Sequence, residues 1–338
     1  MEMVACDLCG SRRSSEFLRQ GDLTHPTSSE VFTVVQCLDC GLGYLNPRPT
    51  LDEIARYYPD QYFTPAAPKS RTELEKQAKR FSRRVKQWIM EDFYGYPMVG
   101  SRRPWHTFRK ALLWPEYLRR LWRGRDIIPW GGAGRLLDVG CGPGGNLAVF
   151  QEQGWDVYGI DFTPEAVQQA RARVGDRIHA GTLETAPYKD GTFDVIFLSH
   201  SFEHFFSPSQ ALIRLRQLLA PKGRLVITVP NSASLEAGLF GPAWTPWELP
   251  RHLYHFSPVT IRHVLEKAGF RVAQLKTSVA SHFFMVSLDR AWNKRFHRGL
   301  PMYRSIEKWG VSLLCRFTGH LGYGPEIMVH AVKADRER

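Results

Sequence analysis

The 338-residue sequence predicts an α/β protein built on a mostly parallel sheet. Four short apolar runs, RLLDVG, DVYGID, FDVIFLS and RLVITVP, follow one another beyond residue 134, and the segments between them keep a helical period. That alternation is expected of βαβ units whose strands are covered on both faces. The chain is also longer than the ~150 to 200 residues of one such domain. Appendages are therefore expected: a module over 1–50, a basic aromatic helical segment over 51–130, the sheet domain over 131–280, and a helical insert with a final strand over 281–338.

The first appendage is read from its cysteines. No window of about 20 uninterrupted apolar residues occurs, and MEMVACDLCG lacks the apolar core of a secretory signal, so a cytoplasmic location is expected. In a reducing compartment, two C-x2-C pairs argue for metal ligation over disulfides. Cys6, Cys9, Cys37 and Cys40 are thus expected to hold one structural Zn2+ in a ribbon. Each pair ends in Cys-Gly, and glycine lets backbone amides turn toward thiolate sulfur. Cys141 and Cys315 stand alone and read as packing residues. Short strands are expected between Val31 and Tyr44, stopped by Asn46-Pro47-Arg48-Pro49.

Residues 51–63, LDEIARYYPDQYF, suit a short helix presenting Tyr57, Tyr58 and Tyr62 toward whatever lies beyond it. Beyond it, Ser70-x-x-Glu73 reads as a capping box that opens an amphipathic helix through Leu74, Ala78, Phe81, Val85 and Trp88. A second stretch, Trp105 to Trp122, should restart at Pro115. The formal net charge is +12, and residues 69–125 hold 16 Lys/Arg against 5 Asp/Glu. The basicity belongs to that segment and not to the fold. These helices read as packing elements with solvated backs, or as a cationic aromatic rim shared with Arg290, Lys294, Arg295, Arg298, Arg304 and Lys308. Such a rim would meet the inner face of an anionic membrane or a phosphate-bearing acceptor.

LLDVGCGPGG at 136–145 ends a strand and opens a helix, so Gly140, Gly142, Gly144 and Gly145 bring amides toward a ligand. A glycine loop alone also fits a dinucleotide. Asp138 separates the two: a carboxylate there repels a pyrophosphate and suits the ammonium of a methionine moiety, whose carboxylate can use the loop amides. Asp161 closes the second apolar run, where it can accept ribose hydroxyls or cap the following helix. Glu184 is a weaker candidate near the adenine.

Together LLDVGCGPGG, YGIDFTPEAV, GTFDVIFLSHSFEHFFSP and LLAPKGRLVITVPN resemble the successive motifs of class I S-adenosylmethionine-dependent methyltransferases over about residues 134–232. The resemblance implies a Rossmann-like seven-stranded methyltransferase sheet with an antiparallel last strand, placed at EIMVHAVKA. It carries cofactor contacts onto Asp138, Gly140, Gly142, Asp161 and His200. With the cysteine pairs and WELPRHLYHFSPVTIRHVLEKAGF at 247–270, the chain is similar to bacterial glycan and natural-product methyltransferases, including zinc-module sugar methyltransferases. Arg251 departs from the acidic residue of the C-methylating relatives, so O-methylation of a sugar or related small acceptor, nucleotide-linked or lipid-linked, is the expectation.

Such a transfer needs a group that takes the acceptor's proton, and histidine suits that near neutral pH. His252 is the first candidate, with His255 and His204 behind it. Arg251 is a candidate phosphate clamp, and Trp244, Trp247 and Tyr254 a flat wall for a sugar. His200-x-x-Glu203-His204 matches a metalloprotease string only formally, because it sits where a strand ends; a divalent ion there is a lesser alternative. An RNA methyltransferase is the main rival, supported by the ribbon and the basic stretch. No Asn-Pro-Pro-Tyr-like string marks a base target, so nucleic acid is not the expected partner. A non-catalytic cofactor-binding scaffold is the third reading.

Overall fold

The computed structural model describes residues 1–25, 27–59, 73–97, 106–122, 127–278, 281–296 and 306–334 of the chain. They fall into two compact units, Met1–Phe63 with Gly134–Arg338, and Thr64–Ala133. The strands are β1 Ser14–Gly21, β2 Val31–Cys37, β3 Gly43–Leu45, β4 Arg135–Val139, β5 Asp156–Asp161, β6 Ile178–Ala180, β7 Phe193–Ser199, β8 Leu219–Pro230, β9 Tyr254–His255, β10 Phe270–Thr277 and β11 Glu326–Lys333. The helices are α1 Leu51–Ile54, α2 Glu73–Tyr94, α3 His106–Trp122, α4 Gly145–Glu152, α5 Pro164–Val174, α6 Pro208–Leu218, α7 Leu235–Phe240, α8 Pro258–Lys267, α9 His282–Phe296 and α10 Ile306–His320.

The larger unit carries a seven-stranded sheet in the order β10-β11-β8-β7-β4-β5-β6. Strands β4 to β8 run parallel, and β11 runs antiparallel between β8 and β10. The four apolar runs of the sequence are β4, β5, β7 and β8, and EIMVHAVKA is β11, as expected. Leu136, Leu137, Ile196, Leu198, Ile227 and Val229 lie fully inside. Such continuous runs are what a sheet covered on both faces requires. The carboxyl ends of β4, β5, β6, β7 and β8 therefore share one edge, where open α/β sheets bind ligands.

The N-terminal residues form a second, antiparallel sheet, β1-β2-β3-β9. Its last strand comes from the far half of the chain: Tyr44 pairs with Tyr254 and Gly43 with His255. Polar seams fix this sheet to the rest of its unit. The Ser207 hydroxyl and the Ser209 amide donate to the Asp7 carboxylate at 2.9 and 2.8 Å, and the Arg48 guanidinium donates to the Phe206 carbonyl at 2.6 Å. The helix expected over 51–63 is shorter: α1 ends at Ile54 and a 3-10 turn continues to Tyr57. Tyr57 is buried, whereas Tyr62 lies outside the described residues.

In the smaller unit α2 and α3 pack through a stacked pair, Phe93 and Tyr117, with ring centroids 4.2 Å apart. The break expected at Pro115 does not occur, and α3 runs unbroken through it. Trp114 and Tyr117 flank the proline and both pack on Phe93, which offsets the one hydrogen bond proline removes. Arg109 donates to Asp92 and Glu91, while Arg119 and Arg120 both reach Glu116. Part of the segment's positive charge is thus matched within it. Ser70, Trp105 and Arg125 lie outside the described residues, as do Arg298 and Arg304 of the second basic patch. Arg290 of that patch turns inward and donates to the Thr24 hydroxyl at 3.2 Å. No described helix is long and apolar enough to cross a membrane.

Candidate functional site

The glycine loop joins β4 to α4 at the carboxyl edge. Gly140 has φ 75°, and a Cβ there would stand 2.5 Å from that of Ser201. Only glycine meets both demands. The loop amides are not the open donors the sequence suggested: those of Gly140 and Cys141 go to the Ile160 carbonyl, that of Gly142 to Asp161, and that of Gly144 to the Cys141 carbonyl. The glycines shape the loop, and the first-turn amides of α4 are left to face a ligand.

Asp138 and Asp161 stand at the ends of the adjacent strands β4 and β5. Asp161 accepts from the Gly142 amide at 2.8 Å and the Thr163 amide at 2.9 Å, so it braces the glycine loop and caps the entrance to α5. Each oxygen keeps a second lone pair for a ligand hydroxyl. Asp138 is 1% exposed, and neither of its oxygens has a hydrogen-bond partner among the described residues. Burial, with Asp161 nearby, pushes its carboxyl up to about 8. An orphaned, buried acid at a ligand-binding edge fits a cationic group, which would return it to the carboxylate form.

This arrangement has a measurable cost. A carboxyl raised from 3.8 to about 8 holds its proton more tightly folded than unfolded, so its contribution to stability falls as pH rises through that interval. Asp138→Asn is expected to leave the Tm of the cofactor-free protein unchanged at pH 4. At pH 8 it should raise stability by about 2 kcal/mol or more, roughly 4 °C. Melting curves at both pH values test this, and an equal Tm at pH 8 would contradict the unpaired acid.

His200 follows β7 directly with φ 52°, a left-handed conformation that non-glycine residues rarely adopt. Its Nε2 lies 2.7 Å from Glu326 Oε1 and its Nδ1 3.5 Å from Glu203 Oε1. Burial lowers its pKa, but the two carboxylates more than offset this and bring it to about 10, so it is an imidazolium. Glu184 lies exposed on the loop after β6. Glu326 escaped the sequence reading because it opens an otherwise apolar strand.

After His200 the chain makes a 3-10 turn, Phe202–His204, that points Glu203 inward. Glu203, His204 and His252 bring one ligand atom each within 4.8 Å of one another. His252 Nδ1 donates to the Pro246 carbonyl at 2.8 Å and His204 Nδ1 to the Arg251 carbonyl at 2.9 Å. These bonds fix both tautomers and leave each Nε2 as a lone pair. His252 Nε2 lies 3.9 Å from Glu203 and 3.7 Å from Glu248. Burial holds His252 down to about 4, so it is neutral at pH 7. Tyr58, whose hydroxyl lies 3.3 Å from His204 Nδ1, lines the same cluster and packs on Phe162 next to Asp161. Sequence reading assigned Tyr58 no role at a site, and Glu248 had passed unnoticed.

His255 stands apart in β9. It is buried beside Gly43 and against the Trp247 ring, and burial holds it down to about 3, so it is a neutral packing residue. Arg251 is not a phosphate clamp: it is 0% exposed. Its guanidinium donates in a fork to Asp22 at 2.7 and 2.8 Å, to the Tyr57 carbonyl at 2.6 Å and to Glu248 at 3.2 Å. Trp244, Trp247 and Tyr254 are likewise inside the core and offer no wall to a sugar. These residue types carried the right polarity for a ligand site, but the N-terminal sheet covers them.

The four paired cysteines converge within 4.8 Å. Cys6 and Cys40 sulfurs lie 3.4 Å apart, and Cys9 and Cys37 3.5 Å. Tetrahedral thiolate zinc requires sulfurs about 3.8 Å apart, so the donor set fits that ion. Burial raises Cys37, but the amides of Asp39 and Cys40 more than offset it and hold the thiol below its ordinary value.

A doubly wound sheet whose glycine loop lies between two acidic strand ends defines a Rossmann-like nucleotide-cofactor fold. Residues 105–275 match the model of a methyltransferase domain family, and the chain belongs to that family. It is 34% identical over 142 residues to the ubiquinone/menaquinone biosynthesis C-methyltransferase of Geobacter sp. strain M21, covering 38% of this chain and 60% of that one. It is 29% identical over 125 residues to a malonyl-acyl-carrier-protein O-methyltransferase of Erwinia billingiae, covering 37% and 49%. A third relative, an uncharacterized 37.1 kDa protein in transposon TN4556 of Streptomyces fradiae, is 39% identical over 106 residues, covering 29% and 31%. The chain spans less than two thirds of the length of each.

Proposed function

We propose that the chain transfers a methyl group from S-adenosylmethionine to a small-molecule acceptor. The observation that carries this is the unpaired, buried Asp138 beside the glycine loop, a place that suits a cation and not a pyrophosphate. The cofactor supplies an electrophilic methyl on a sulfonium. Asp138 would hold its ammonium, Asp161 its ribose hydroxyls and the first turn of α4 its carboxylate. The relatives' names speak of a carbon acceptor in one case and an oxygen acceptor in another, which supports small-molecule chemistry in general. Our finer reading is a hydroxylated acceptor, sugars included. It is supported by the polar Glu203, His204, His252 and Tyr58 cluster that follows β7 at the carboxyl edge, where a neutral Nε2 can take a hydroxyl proton. The four cysteines would hold a structural zinc ion that supports the N-terminal sheet.

Calorimetry tests the cofactor. S-adenosylmethionine is expected to bind, with Asp161→Ala weakening it by about 1.5 to 3 kcal/mol, the scale of charge-assisted hydrogen bonds. Binding of NADH without binding of S-adenosylmethionine would overturn the proposal.

A further inference from the structure

We propose that Glu203, His204 and His252 form a binding site for a divalent first-row cation such as Zn2+ or Mn2+, with Glu248 as a fourth ligand, separate from the four-cysteine cluster. Three independent features of the cluster point there.

The first is the donor set. Two imidazoles and a carboxylate gathered within 4.8 Å offer nitrogen and oxygen donors from one side and leave coordination positions open on the other. Glu248 Oε2 lies 3.7 Å from His252 Nε2, within the span of a shared ion. The second is orientation. Both histidines donate their Nδ1 hydrogens to main-chain carbonyls, of Pro246 and Arg251, and this is the outer-shell bond that aims Nε2 at a metal. Those carbonyls belong to the turn after Trp244, which the buried Arg251 holds rigid through Asp22 and Tyr57. The third is Glu203 itself. It is 0% exposed, and neither oxygen has a hydrogen-bond partner among the described residues; its nearest cation, His200 Nδ1, is 3.5 Å away. The His200 imidazolium, shared with Glu326, compensates this carboxylate from one side only; on the other it faces His204 and His252, where an ion would take all three as ligands.

The cluster follows β7 within a few residues of Ser201, which touches Gly140 of the cofactor loop. With the cation bound, the imidazoles would serve as ligands and the ion would acidify a hydroxyl held at an open position; without it, the free Nε2 is the group that takes the proton. Cation binding itself does not depend on the methyl-transfer reading, so it is measured without cofactor or acceptor.

Mn2+ is the discriminating probe, because it favours oxygen and nitrogen donors over thiolates. Titration of the full chain followed by electron paramagnetic resonance should show one Mn2+ taken up per chain. Glu203→Gln and, separately, His204→Gln should weaken that uptake at least tenfold, while Glu248→Gln should weaken it less. Equilibrium dialysis against Zn2+ should give two ions per wild-type chain and one per Glu203→Gln chain. Circular dichroism confirms that each variant keeps its fold, and the second variant serves if the first does not. Absence of Mn2+ uptake together with a single zinc per wild-type chain would overturn the site, as would unchanged uptake in both variants.

Discussion

Stripping the zinc ion proposed for the four cysteines, by a strong chelator or by Cys37→Ser, is expected to unfold β1 to β3. Leu18, Phe32, Val34 and Tyr44 of this sheet are buried, but the two cysteine knuckles meet through the four sulfurs, and structural zinc supplies on the order of 10 kcal/mol to modules of this size. The loss should not stay local. β9 pairs with β3, and Asp22, just after β1, neutralises Arg251. Chelation should therefore also loosen the turn that holds His252. Metal analysis should give zinc in the wild type and its loss in Cys37→Ser, with increased amide exchange over both 14–45 and 249–256. A metal-free protein with full protection in both segments would refute the structural role.

Arg251→Met is expected to lower stability by about 3 to 5 kcal/mol, because it leaves the buried Asp22 carboxylate without its counter-charge, with only the Thr24 and His25 amides among the described residues donating to it. Both side chains of this pair are 0% exposed, so solvent cannot replace the lost guanidinium. Denaturant midpoints measure the effect. The double substitution Asp22→Leu with Arg251→Met should recover part of the loss, since it removes the buried charge, though the Thr24 and His25 amides lose their acceptor. A cost under about 1 kcal/mol for the single change would mean that the pair is not desolvated in solution. Arg251→Lys should rescue only partly, as an ammonium cannot make the two-pronged contact with Asp22 while reaching the Tyr57 carbonyl.

What the sequence displayed and what it hid divide along the range of the interactions. The runs that became β4, β5, β7 and β8 were legible because burial on both faces writes itself into consecutive residues. The glycine loop and the cysteine pairs were legible because tight backbone geometry and ligand spacing are local. β6 has three residues and β9 two, too few for any period to register. The fate of Arg251 and Trp244 was hidden for a different reason: an arginine beside a histidine, or a tryptophan in a loop, looks like a ligand contact until a distant segment covers it. Pro115 misled because packing on Phe93 outweighed a local rule. At the cofactor edge, strand ends identified Asp138 and Asp161, whereas Tyr58, Glu248 and Glu326 came from three separate parts of the chain and shared no pattern.

The borrowed strand also bears on how the polypeptide is made. Asp22 and Arg251 are 229 positions apart, so a chain emerging from the ribosome exposes β3 as an unpaired edge until the segment around β9 has been synthesised. At ~5 to 20 residues per second that interval lasts roughly 10 to 45 seconds, during which the nascent N-terminus carries an open hydrogen-bonding edge and a buried-type aspartate still in water. Early capture of zinc would hold the two cysteine knuckles together through this wait, and completion of the sheet would then coincide with closure of the turn that bears His252. The order of synthesis thus makes the N-terminal sheet one of the last parts to be finished, although it is the first to be translated.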